Sequence, residues 1–180
     1  MPLAMALDID NFECKVNDPR GETLDYWEQI KNVGMNGPKI NSEDLVFVAV
    51  RDLEKPENYL INKLNINFIE VEDVKKLGAD KIAHKVLQML DHCDLIYVSF
   101  DVDSIDSRFS TGTGTPVPNG LTVEEAKLLN SELCKDAKVC AWEIVEINPT
   151  LDTENRMAEG AFEILEASAK SIEARPVLAE

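Results

Sequence analysis

The chain has 180 residues, enough for a domain with a substantial hydrophobic core, and 44% of them are hydrophobic. Lys and Arg number 18 against 34 Asp and Glu, a formal net charge of −16, which repels phosphate backbones and excludes nucleic acid as a partner. No apolar run approaches the ~20 residues needed to cross a bilayer, no signal peptide is expected, and Cys14, Cys93, Cys134 and Cys140 form no CxxC pair, so a reduced, soluble, cytoplasmic protein is expected.

In chain order, residues 1–43 form a polar, irregular segment with Gly21, Gly34, Gly37 and Pro38, in which only Asp25–Lys31 hints at a helix. From 44 to 175 strands and helices alternate. Asp44–Arg51 is a near-continuous apolar run and reads as a buried parallel strand. Pro56–Leu64 has helical spacing, and Ile66–Val71 reads as a second strand. Val74–Leu90 has apolar residues close to a 3.6 period and predicts one helix. Asp94–Asp103 is the strongest strand, and a loop rich in Ser, Thr, Gly and Pro follows from Ser104 to Gly120. Thr122 opens a helix with Glu124 and Glu125 in its first turn, favourable against the helix dipole. Val139–Ile147 predicts another buried strand, and Thr153–Ser171 a long final helix. The expected fold is one α/β domain over 1–180, a parallel sheet flanked by helices, with its ligand beyond the carboxyl ends of the strands.

At the carboxyl end of the strongest strand stand Asp101 and Asp103. Residues i and i+2 of a strand point to one side, so two carboxylates converge there, and their repulsion calls for a cation. A hard divalent ion suits them; the plain alternative is that one or both cap the loop. An EF-hand is excluded, because Asp106 occupies its Gly position and Gly112 its Glu position.

Ser99-Phe100-Asp101-Val102-Asp103-Ser104-Ile105-Asp106, followed by Gly112-Thr113-Gly114-Thr115-Pro116, resembles the signature of the arginase and agmatinase family. Trp142-Glu143-Ile144-Val145-Glu146-Ile147-Asn148-Pro149 is similar to that family's last conserved segment, and Val50-Arg51-Asp52-Leu53-Glu54-Lys55-Pro56-Glu57 to its strand and loop with acidic residues for the substrate's amino end. Ser107 stands where the family usually has Pro, and Pro118-Asn119-Gly120 replaces a more glycine-rich turn. The resemblance, from about Met1 to Ile172, implies the C-terminal portion of a ureohydrolase using two manganese ions. It implies that Asp101 bridges the ions and Asp103 ligates one of them. Glu146 would hold the substrate guanidinium, Thr115 would line the pocket beside it, and Glu54 and Glu57 would contact the α-amino group. The implied chemistry is attack by manganese-activated hydroxide on the guanidinium carbon, releasing urea and an amine such as ornithine. Arginine is favoured over agmatine or formiminoglutamate because of Glu54 and Glu57. Each residue also has a plain reading: Glu146 a sheet-edge residue, Thr115 a turn residue, Glu54 and Glu57 first-turn helix residues.

The family's other metal ligands, a histidine and an Asp-x-His-x-Asp group, have no counterpart in this sequence, whose histidines are His84, inside a helix, and His92, ahead of the strongest strand. The reading is therefore of an N-terminally truncated arginase-like chain, inactive alone, that associates with the missing half or as a homo-oligomer. Two alternatives stand beside it: a non-catalytic remnant or partner subunit, and a phosphatase of the haloacid-dehalogenase type with Asp101 as nucleophile and Asp103 as general acid.

Overall fold

The computed structural model describes residues Pro2–Pro176. Their order is α1 (Pro2–Ala6), α2 (Glu22–Lys31), β1 (Val46–Val48), α3 (Lys55–Lys63), β2 (Asn67–Ile69), α4 (Val71–Leu77), α5 (Ala79–Met89), β3 (Ile96–Asp101), α6 (Val123–Leu133), β4 (Val139–Val145) and α7 (Arg156–Glu173). The chain groups into two compact units: the described residues up to Phe47 with Leu53–Phe68, and Val48–Asp52 with the described residues from Ile69 onward.

The first unit is tied together by charge and aromatic contacts. Lys31, at the end of α2, is buried and meets Asp10 and Glu28, each at 3.0 Å, while the Trp27 indole donates to Asp10 at 2.6 Å. A buried lysine is tolerated where carboxylates replace its water. Phe47 and Phe68, on β1 and β2, meet edge to face at 6.4 Å. The irregular first 43 residues thus contain two helices; the hint at Asp25–Lys31 extends back to Glu22, and α1 was not anticipated.

In the second unit, β3 and β4 pair in parallel, with Phe100 opposite Ile144 and Asp101 opposite Val145. Ile96 and Phe100 are buried, and the Trp142 indole donates to Asn130 of α6 at 2.8 Å, so this side of the sheet faces the helices. Along the other side lie Tyr97, Ser99 and Glu143, all exposed, with the Tyr97 and Ser99 hydroxyls both donating to the Glu143 carboxylate. The run read as a buried strand is therefore covered on one face, whereas parallel sheets commonly carry helices on both. The expected single helix over Val74–Leu90 is two, α4 and α5, because Gly78 takes φ 99° between them, a conformation that breaks the helical path. α6 begins as expected: Thr122 accepts from the Glu125 N–H at 3.1 Å while Glu125 accepts from the Thr122 N–H at 2.8 Å, a reciprocal capping box.

The loop after β3 is closed at its base. Leu121 donates to Ser104 O and Asp106 donates to Leu121 O, both at 2.9 Å. Gly120 sits in this closure, and a β-carbon there would lie 2.6 Å from Asp106 N and from Ser104 O. Backbone cannot yield as a side-chain tip can, so Gly120→Ala is expected to cost about 2–3 kcal/mol. Urea denaturation checks this; a cost below about 0.5 kcal/mol, the range of an ordinary surface change, would refute it.

Candidate active site at the carboxyl ends of β3 and β4

β3 delivers Asp101 at its last residue, and the chain then turns through a short 3-10 segment, Val102–Ser104. Asp103 consequently lies beyond the strand, so strand alternation does not bring the two carboxylates together, as the sequence reading supposed. The turn instead places the Asp103 backbone N–H on Asp101 Oδ1 at 2.8 Å. Val102 between them is fully buried and pins the turn to the core. Asp101 itself acts as the cap of this turn, so the plain reading of it as a capping residue and the cation reading apply to the same carboxylate.

The Gly-Thr-Gly-Thr-Pro loop folds onto Asp103. The Thr113 and Thr115 hydroxyls donate to its two carboxylate oxygens, and Thr113, itself buried, also reaches the Glu146 carbonyl at 2.9 Å. Thr115 thus touches Asp103 directly. β4 ends at Val145, one residue before Glu146, which takes φ 67° in the left-handed region. A non-glycine residue there carries strain that surrounding structure must hold, and such strain gathers at functional positions. The carboxylate of Glu146 is aimed at the loop: a β-carbon on Gly114 would come within 3.8 Å of its Oε2.

The electrostatics follow from this crowding. Burial is the main cause that pushes the Asp101 carboxyl up to about 6; the Asp103 N–H pulls it down, while the charges of Asp103 and Glu146 add to the rise. Asp106 differs, since the Arg108 guanidinium grips its carboxylate at 2.6 Å and 2.9 Å and holds it well below the usual carboxylate range. Asp106 is thereby taken up by structure. The charged groups that act on Asp101 are instead two further carboxylates, Asp103 and Glu146. That set suits a hard divalent cation. Among the described residues, however, Asp101, Asp103 and Glu146 do not bring three ligand atoms within 4.8 Å of one another.

Glu54 and Glu57 lie in the first unit. Glu57 accepts from the Glu54 N–H at 2.8 Å across the first turn of α3. His84 is exposed on α5. Two supports of the loop escaped the sequence reading. Asp152 accepts from Met157 N, Ala158 N and Ser110 Oγ, joining the start of α7 to the loop. Its position a few residues ahead of a helix was the available signal. Arg51 donates to main-chain carbonyls of the Asp103 turn at 2.9–3.4 Å, contacts more than 50 residues apart in the chain that no local pattern reveals.

Known proteins resemble this chain over most of its length. The family model described as "Arginase family" matches residues 28–169. The arginase of Bacillus subtilis (strain 168) is 29% identical over 167 residues, 93% of this chain and 51% of that protein. The crystal structure of Helicobacter pylori arginase superposes with a TM-score of 0.84 at 28% identity, covering 96% of this chain and 56% of that one. That of Entamoeba histolytica arginase, in complex with L-ornithine, does so with a TM-score of 0.75 at 28% identity, covering 93% and 51%. The chain spans about half the length of the relatives it matches. With the matched segment running through the β3 turn, the Thr-rich loop and β4, the chain belongs to the arginase family.

Proposed function

We propose that this chain forms one side of a site that hydrolyses a guanidino substrate, arginine by preference, with two manganese ions as cofactors. The observation that carries the reading is the placement of Asp101, Asp103 and Glu146 at the carboxyl ends of β3 and β4, with the Asp101 carboxyl pushed up to about 6 mainly by burial and further by the charges of Asp103 and Glu146. Asp101 would bridge the ions and Asp103 would ligate one. When bound, such ions acidify water so that a nucleophile is available at neutral pH. The chain's own residues then position and orient. The Thr113 and Thr115 hydroxyls fix the Asp103 carboxylate. Glu146 offers two oxygens to a guanidinium, a charge-assisted, forked contact. Thr115 would line the same pocket, and Glu54 and Glu57 would receive the α-amino end. The ornithine complex of the Entamoeba histolytica relative supports an arginine-like substrate. The action is proposed for the cytoplasm and in association with a polypeptide that completes the site, or with further copies of this chain.

Two carboxylates offer a hard cation few ligands, so manganese should bind the isolated chain weakly. Calorimetric titration is expected to give a shallow isotherm that vanishes in Asp103→Ala. Tight binding of two ions per chain, or an isotherm unchanged in Asp103→Ala, would refute this assignment.

A further inference from the structure

Arg51 is a large cation that the proposed chemistry does not use. It follows β1, and Ala49 (φ 59°) and Asp52 (φ 55°) near it both occupy the left-handed region. L-residues rarely stay there unless the surrounding structure over-determines them. The bent backbone turns the guanidinium onto a ring of main-chain carbonyls. Nη1 donates to Ala49 O at 3.3 Å and Ser104 O at 3.0 Å. Nη2 donates to Asp103 O at 2.9 Å, Val117 O at 2.8 Å and Ile105 O at 3.4 Å. Three of the acceptors are consecutive carbonyls from Asp103 to Ile105, and Val117 lies at the far end of the loop that carries Thr113 and Thr115. Nε is buried with no hydrogen-bond partner among the described residues. A buried donor left unmet is a cost that a merely space-filling role would not need.

We propose that Arg51 is a positioning residue: by gripping the Asp103 turn and the base of the Thr-rich loop together, it fixes the Asp103 carboxylate for a divalent cation. The inference rests on the proposed cation site but concerns a residue that touches neither ion nor substrate. A planar fork with donors on several edges can hold carbonyls spread around it, whereas a lysine presents its three protons from one atom and cannot span them. Arg108, whose side chain is 74% exposed, places a second positive charge beside Asp106 without touching these carbonyls. The two arginines therefore separate grip from charge.

The test compares manganese affinity in the full chain, read from the free-ion resonance signal, for the parent, Arg51→Lys and Arg108→Gln, with amide exchange measured alongside. Arg51→Lys is expected to weaken binding about tenfold or more, as loss of a group orienting a ligand does. It should also speed exchange at Ile105, Asp106 and Ser107, whose amides donate to Val102 O, Leu121 O and Val117 O. Arg108→Gln should stay within about twofold of the parent, well short of that orienting effect. Arg51→Lys within twofold of the parent would overturn the inference while leaving the cation site standing, and so would equal losses in both variants. A parent that binds no manganese would overturn the cation site, and the inference with it. Should Arg51→Lys fail to fold, exchange in the parent decides: manganese is expected to slow Ile105–Ser107, and unchanged exchange overturns the inference.

Discussion

Incubated with arginine and saturating manganese, this 180-residue polypeptide is expected to release urea no faster than buffer does. Among the described residues, the candidate site offers the carboxylates of Asp101, Asp103 and Glu146 and the hydroxyls of Thr113 and Thr115. Asp101, Asp103 and Glu146 do not assemble three ligand atoms around one point, and the sequence contains no Asp-x-His-x-Asp group to complete them. A two-metal hydrolase depends on fixed coordination to make a nucleophile and to clamp the reacting carbon. Without those ligands that contribution is absent, and it forms part of an overall acceleration by enzymes of about 10⁶-fold or more. The loss should therefore be complete by a colorimetric urea assay rather than partial. Robust turnover that disappears in Asp101→Ala would show that the described residues already suffice.

Asp101→Asn is expected to stabilise the metal-free chain at pH 7.5 while abolishing its manganese binding. The sign follows from linkage. The folded chain raises the Asp101 carboxyl from 3.8 to about 6, so it binds the proton more tightly than the unfolded chain does. The stability gained from that proton is full below about pH 4 and is lost as pH rises through about 6. Above that, folding must hold an uncompensated, half-buried carboxylate. Asparagine removes the charge and keeps an oxygen for the Asp103 N–H. Discounted for partial exposure, the gain is about 1–2 kcal/mol, or roughly 2–8 °C in melting temperature. At pH 4.5 most of it should vanish. Millimolar manganese should raise the melting temperature of the parent and not of the variant. A lower melting temperature for Asp101→Asn at pH 7.5, or an equal gain at pH 4.5, would contradict this account of the site's charge.

Much of this architecture can be read from residue patterns, because the patterns are local. The period of Val74–Leu90, the apolar run ending at Asp101 and the Thr122–Glu125 pair each state their element within a few residues. What escapes is set by single backbone angles or by distant contacts. Gly78 splits one amphipathic run into two helices without disturbing its period. The 3-10 turn at Val102–Ser104 carries Asp103 off the strand, because burying Val102 competes with continuing β3. Glu146 falls just past β4 in a left-handed conformation that an apolar run cannot announce. The residues proposed for the site, Asp101, Asp103, Thr115 and Glu146, are named by the resemblance rather than by any local pattern. The cage around Arg51 was not, since its acceptors are main-chain carbonyls, which every sequence contains.

We propose that this chain carries the Asp101, Asp103 and Glu146 side of an arginase-type site. The most direct test is complementation. The chain is mixed with manganese, arginine and the separately expressed portion of the Bacillus subtilis arginase that lies outside the matched 51% of that relative. Urea release is expected to appear on mixing and to be lost when this chain carries Asp101→Ala or Glu146→Gln. Release that persists in both variants, or a complex of the two polypeptides that binds manganese tightly and still releases no urea, would contradict this proposal.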